Sequence, residues 1–505
     1  MPNWCWKRKS PDDYDSGIRL VEKTDHRDYG GCGRKDGEQR RRFRMPGECW
    51  GRIKVINVEP ILFFVSFSMV LSDAPFQDLV LKRICLETPG IEPDVCESLP
   101  QHPKEEEMVQ PRAVILLMAK SLIEAILPAL MAFWVGPWSD RTRRRKPLLV
   151  LPLVGYALRY AILAILVGFT SVRPEYFLIA SVPIAVSGGL VSTFTSLTCI
   201  VGDETEGDGP TRTLRLGLLQ AFFIVGILPA SLMSSSVLSA LGYHGVFAIS
   251  GLALLLALVI TLFIVKDTPP VRDPDDKGDQ QTVGLVKEMF QTVFKERPNG
   301  GRACIILCVL ALASSIITYE GESSLGFLYV REKFGWKIKE FTLYLSATIA
   351  LYLFGTVFGV VILSNKLKIP DATLTASVYL TKVISSLVRA FASEPWMMYL
   401  SSVIAVFGDI SSPVSRSILS KNAPQDELGK VFSLTASLEA LTPLASSPLY
   451  TLLYNKTLHT FPGAYFILSA GIFFFDFILL SIVGLIQLKH SRFRHVPLQN
   501  EAGCT

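Results

Sequence analysis

Ionisable side chains stand in this sequence where few proteins keep them, inside long apolar runs. Lys120 and Glu124 are spaced i,i+4 and would share one face of a helix, close enough to neutralise each other. Glu320 and Glu322 flank Gly321. A helix weakened by glycine there would let backbone and carboxylate meet a solute or a proton, so both acids are candidate proton carriers. Asp409 follows Gly408 and precedes Pro413 and Arg416, which makes it a third candidate carrier and an acid–base pair with Arg416 plausible near a broken helix. Asp73, Arg159, Lys382, Arg389, Glu439 and Asp476 pose the same demand for a partner or for water, because an unpaired charge in hydrocarbon is expensive. Tyr319, Phe327 and Tyr329 could stack on a planar ring. The sequence contains no Gly-x-x-x-x-Gly-Lys-Ser/Thr, His-Glu-x-x-His or Cys-x-x-Cys motif, so nucleotide hydrolysis and metal chemistry find no residues, and neither a cofactor nor an enzymatic activity is expected. The six histidines fall in the tails or near the ends of apolar runs, which argues against a buried histidine relay.

The elements that must position these groups are membrane helices. Half of the 505 residues are hydrophobic, 19% are charged and the mean hydropathy is +0.37, a balance foreign to soluble domains. Twelve segments satisfy the length and polarity of a spanning helix: 57–81, 112–137, 147–169, 175–200, 214–240, 245–265, 303–328, 341–363, 371–392, 396–415, 431–454 and 462–488. The Pro- and Asp-rich stretch 266–302 divides them six and six. The expected organisation is a basic cytoplasmic tail at 1–54, a six-helix bundle at 55–265, the 266–302 linker, a second bundle at 303–488 and a cytoplasmic tail at 489–505. Residues 1–50 lack the apolar core of a cleavable signal, so the first span is expected to direct insertion. With both termini inside, the inner loops carry 19 Lys and Arg and the outer loops 8, as the positive-inside rule requires. Asn455-Lys456-Thr457 then lies outside as a glycosylation acceptor, and Cys85 and Cys96 share an outer loop, either as free thiols or as a disulfide.

The run Gly136-Pro137-Trp138-Ser139-Asp140-Arg141-Thr142-Arg143-Arg144-Arg145-Lys146-Pro147 resembles the signature of the loop between the second and third spans of major facilitators. An acid at such a loop pairs with an Arg one turn on and sits near the N-terminus of a helix in the opposite bundle, so the resemblance makes Asp140 and Arg144 the candidate gate of the cytoplasmic side. The signature's second Gly is Arg143 here. A closer resemblance runs from the first span to the last, to the proton-coupled folate transporter family of solute carriers. Val58-Glu59-Pro60, Gly136–Leu151, Arg416-Ser417-Ile418-Leu419-Ser420-Lys421 and Glu427-Leu428-Gly429-Lys430-Val431-Phe432-Ser433 carry it. It implies a polytopic carrier of organic anions, with Arg416 in the place of the family's functional Arg. The proton-coupling Glu of the fifth span in the folate members is Gln220 here, and their His of the seventh span is Tyr319. Gln does not titrate and Tyr does so only near pH ~10, so those two positions are expected to line the substrate site rather than to move protons.

These readings combine into an all-α membrane protein with the twelve-helix major facilitator fold, working by alternating access on a folate-like, nucleotide-like or muropeptide-like anion, with protons as coupling ion. Arg416, Tyr319 and Gln220 would bind substrate. The alternative is a transport-inactive membrane receptor or scaffold on the same fold. The lipid bilayer is the only other expected partner, with no nucleic-acid polymer. The expected location is the plasma membrane rather than the lysosomal membrane, and the oligomeric state is left open.

Overall fold

The structure is a computed structural model that describes residues 58–142, 145–169, 172–204, 209–265, 290–297, 300–359, 369–423 and 427–494. Among these every long element is a helix and there is no strand. The elements are α1 (Glu59–Glu87), α2 (Pro103–Thr142), α3 (Lys146–Gly168), α4 (Gly189–Glu204), α5 (Gly209–Ile264), α6 (Gly301–Phe334), α7 (Ile338–Gly359), α8 (Asp371–Ala390), α9 (Pro395–Ile404), α10 (Ser411–Asn422), α11 (Leu428–Thr457) and α12 (Ala464–Arg494). Each of the twelve apolar segments falls on one or more of these helices, although residue 57 of the first and 360–363 of the eighth lie outside the described residues. Seven helical stretches are long and apolar enough to cross a bilayer unaided. The bent α9–α10 pair adds an eighth. α7, α8 and α11 are not among them. α8 and α11 carry the ionisable residues Lys382, Arg389 and Glu439, so they depend on neighbours for their place in the bundle.

Breaks in the helices sit where the sequence permits them. The fifth and sixth segments run together as α5, folded back at Gly242 with φ +64°, a left-handed conformation that glycine adopts without a steric penalty. The fourth segment begins as a 3₁₀ stretch at Pro174–Ser181 and a short helix at Val182–Ser187, then breaks at Gly188 with φ +83° before α4. α9 and α10 are separated by a 3₁₀ turn at Gly408–Ile410 and bent by 41°. Elsewhere a close approach decides the residue: a Cβ on Gly321 would run into the ring of Tyr450, so this glycine lets α6 and α11 pack rather than weakening α6.

Packing differs between the two ends of the bundle. One apolar core joins α1, α2, α3 and α5 to one end of the later helices, through Leu325–Val330, Tyr450, Tyr454, Tyr465 and Phe466. The other end of the later helices has a separate core, built from Cys304–Leu312, Ala372–Tyr379, Ile418, Leu419 and Phe473–Val483. The helices before residue 265 and after 301 are therefore packed together at the end bearing the 88–102 and 458–463 connections and, among the described residues, share no such core at the end bearing Glu59 and Arg494. Large apolar side chains remain exposed around the bundle, among them Phe263 at 83% and Leu485 at 66%, as expected of a surface solvated by lipid. Cys85 and Cys96 are bonded, with Cα atoms 5.7 Å apart, and close the connection after α1.

Candidate functional site

The parting of the two helix sets leaves polar side chains exposed in the middle of spans. Tyr319, halfway along α6, is 68% exposed, and Gln220 of α5, Asp73 of α1 and Asp409 of the 408–410 turn are exposed as well. Tyr319 has Glu320, Asp409 and Asp73 as its charged neighbours, and Glu320 has Lys120 and Asp73. Residues from both helix sets thus face one cleft at mid-membrane depth.

Its walls are ion pairs set on aromatic faces. On one side Glu124 is shared by Arg159 at 2.6 Å, Ser181 at 2.7 Å and Lys120 at 3.4 Å. Both cations lie over the ring of Phe76, at 5.6 and 5.7 Å from its centroid. On the other side Arg389 holds Glu322 at 2.6 Å and lies 4.8 Å over Phe466. Arg416 holds both oxygens of Glu439, at 2.7 and 2.9 Å, and is the more open of the pair at 37% exposure. Lys382 donates to Ser411 at 3.0 Å. Buried pairs of this kind give little net stability but leave a costly bare charge when one partner goes, so they fix which side chain faces which.

The structure treats the expected site residues unequally. Lys120 and Glu124 pair as their spacing predicts, but Arg159, 35 residues away, is the closer cation. Asp409 and Arg416 do not pair: Arg416 turns to Glu439, and the nearest cation to Asp409 is Lys382. Glu320 and Glu322 part company, the first facing Lys120 and Asp73 and the second bound to Arg389. Phe327 and Tyr329 are fully buried in the core, so of the three expected stacking aromatics Tyr319 alone faces the cleft. Of the cytoplasmic gate, Arg144 lies outside the described residues, and only the backbone of Asp140, in the last turns of α2, is described.

Sequence reasoning missed the seal across the cleft's closed end. Arg331 at the end of α6 is 4% exposed and is held by Asp78 of α1 and by Glu106 of α2, the latter at 2.5 Å. Tyr243 donates to the same Asp78 at 2.6 Å. Beside them Gln110 donates to the Leu328 carbonyl and accepts from Tyr454, both at 3.1 Å, Asn455 donates to the Pro111 carbonyl at 3.4 Å, and His459 meets Glu107. Deeper in the seam Ser231 and Ser346 are 2.6 Å apart. Every one of these contacts except the Tyr243 bond joins a residue before 265 to one after 301. The only signal available in the sequence was that Arg331, counted among loop cations, directly follows an apolar run.

A two-sided helical bundle with charges buried along a central cleft is the build of a membrane carrier. The sequence profile of the Major Facilitator Superfamily matches residues 116–447, and the chain belongs to that family. Within it, the chain is 29% identical over 452 residues to a Drosophila melanogaster protein described as "Probable peptidoglycan muropeptide transporter SLC46", covering 86% of each. It is 26% identical over 450 residues to the Rattus norvegicus proton-coupled folate transporter, covering 87% of this chain and 94% of the other. The fold recurs in the solved structure of the POT family transporter PepTSo, with a TM-score of 0.59 at 14% identity over 86% of this chain and 97% of that one. The protein is therefore an integral multi-pass membrane transporter and not an enzyme.

Proposed function

We propose that this transporter moves a small organic anion together with protons by alternating access, and that it is seen with the cleft shut on the side away from both termini. The observation that carries the reading is the charge balance of the cleft. Its exposed ionisable groups, Asp73 and Asp409, are acids, and Glu320 beside them has no ion-pair partner among the described residues, whereas Arg159, Arg389 and Arg416 are each already bound to a carboxylate. An anion gains a place there only if it displaces a carboxylate from its Arg or if acids are neutralised as it enters, and either route ties anion binding to proton uptake. Arg416 is the best-placed anchor, since it is half-open and its partner Glu439 can exchange for a cargo carboxylate or phosphate. Tyr319 and Gln220 complete the cargo surface, and Glu320 and Asp409 neutralise it.

The rest of the cycle follows the same scheme. The six-helix units at 55–265 and 303–488 rock about the site, the 1–54 and 489–505 tails and the 266–302 linker lie in the cytoplasm, Asp140 with Arg144 gates that side, and the plasma membrane is the working location. Folate, a cyclic dinucleotide and a muropeptide span the chemistry of the cargo, the first and last in keeping with relatives named for folate and for muropeptide. The test is uptake of each by proteoliposomes holding the full chain at two external pH values. Faster uptake of one of them at the lower pH supports the proposal, and pH-independent flux of all three removes the coupling.

A further inference from the structure

One acid belongs to no wall of the cleft. Asp476, at the middle of α12, is fully buried. Its Oδ1 is hydrogen-bonded to Ser314 Oγ on α6, and its Oδ2 has no hydrogen-bond partner among the described residues. No described cation lies within ion-pair distance. The closest positive charge is Lys382 of α8, whose Nζ is engaged by Ser411 and lies over the rings of Tyr379 and Phe473 at 5.4 and 5.3 Å. The other titratable groups nearby are Tyr379 on α8 and, behind it, Cys308 on α6, while α11 brings the apolar Leu449 to this level. On the cleft side of Lys382 stands the exposed Asp409, with Glu322 and Arg389 farther off.

The hydroxyl of Ser314 stands between Asp476 and the backbone carbonyls of its own helix. Ser314 Oγ lies 2.8 Å from the Leu310 carbonyl, the usual back-bond of a helical serine, and a hydroxyl has one proton to give. With that proton on Leu310, Asp476 keeps the contact as a protonated donor, and with the proton turned to Asp476, Ser314 donates to its carboxyl oxygen instead. Oδ2 is bare in either state, but a carboxylate would also be a charge stripped of water and without a cation, so the neutral acid is the form this site holds at lower cost.

We propose that Asp476 is a further proton-carrying carboxyl of this chain, behind Glu320 and Asp409, filled from the cleft by way of Asp409 and Lys382. This rests on the proton-coupled reading above and places the carrier one helix layer behind the cargo. Protonation forms one O–H bond on Asp476 at the expense of a cleft hydronium. Release returns the proton to cleft water and leaves a carboxylate whose available counter-ion is the Lys382 ammonium. Nζ must then leave Ser411, which pulls α8 toward α12 and couples the proton to the helix that carries Arg389.

The test needs no cargo, because its probe is the proton. Infrared difference spectra of the full chain in lipid, stepped from about pH 5 to about pH 9 across the range where carboxyls and imidazoles titrate in proteins, should show a buried carboxylic C=O band bleaching as pH rises. Asp476→Asn should abolish the band and Asp409→Asn should keep it. Ser314→Ala, which removes the hydroxyl bonded to Asp476, should move the band and its midpoint, and it decides the matter if Asp476→Asn does not fold. A band that survives in Asp476→Asn, that ignores Ser314→Ala, or that never bleaches would overturn the proposal. A titrating band in a protein that transports nothing would leave Asp476 standing and defeat the transport reading instead.

Discussion

Arg331 offers the sharpest perturbation of the closed seal. It is 4% exposed between Asp78 and Glu106, and Arg331→Gln leaves these two carboxylates of α1 and α2 at the seam without the cation that α6 brings across it. Removing one partner from a buried pair costs about 3–5 kcal/mol. That cost falls on the sealed state, because opening the seam returns water to both acids. At about 1.4 kcal/mol per tenfold, the ratio of sealed to open molecules drops by a factor of roughly 10² or more. A minor open state populated to about 1–10%, the upper part of the ordinary range, would then match or outnumber the sealed one. The assay is cross-linking of Ser231→Cys with Ser346→Cys, whose parent hydroxyls are 2.6 Å apart across the same seam. The pair should oxidise readily with Arg331 intact and slowly in Arg331→Gln, with Arg331→Lys in between. Equal rates in all three would refute the idea that this ion triad holds the seal.

Two further outcomes follow from contacts outside the bilayer core. Glu427, ahead of α11, is held below the usual carboxylate range chiefly by its hydrogen bond from Lys295 at 2.5 Å and then by Arg297 at 2.8 Å, so it adds stability that is full above its unfolded pKa and lost as pH falls through its folded one. Melting curves should therefore show Glu427→Gln less stable than the parent at neutral pH and equal to it in acid. Asn455 donates through its amide to Pro111 in the sealed state and its Oδ1 is buried, so a glycan on that amide would crowd the seal. Endoglycosidase digestion should leave the electrophoretic mobility of the cell-expressed chain unchanged, and a shift would show that Asn455 is free while the chain matures.

Spans were legible because a bilayer-crossing helix announces itself by length and apolarity alone, and the 41° bend at Gly408 was foreshadowed by Gly408 and Pro413. Partners were not. The i,i+4 geometry of Lys120 and Glu124 is local and readable, but the Arg159 that tightens the group arrives from another helix, as does the Glu439 that takes Arg416 from Asp409. Arg331 reads as a loop cation until helix packing carries Asp78 and Glu106 to it. Gly321 shows the converse, a residue whose cause lies in the Tyr450 ring across the interface rather than in its own helix.

The account as a whole stands on cargo crossing the membrane through this cleft. The direct measurement is counterflow: proteoliposomes preloaded with unlabelled folate, cyclic dinucleotide or muropeptide are tested for accumulation of the labelled compound, with the full chain and with Arg416→Ala. The account predicts accumulation of one cargo by the parent and loss of at least tenfold in Arg416→Ala, the minimum expected for an anion deprived of a charge-assisted contact of about 1.5–3 kcal/mol. No counterflow of any of the three, or equal counterflow by both proteins, would contradict it.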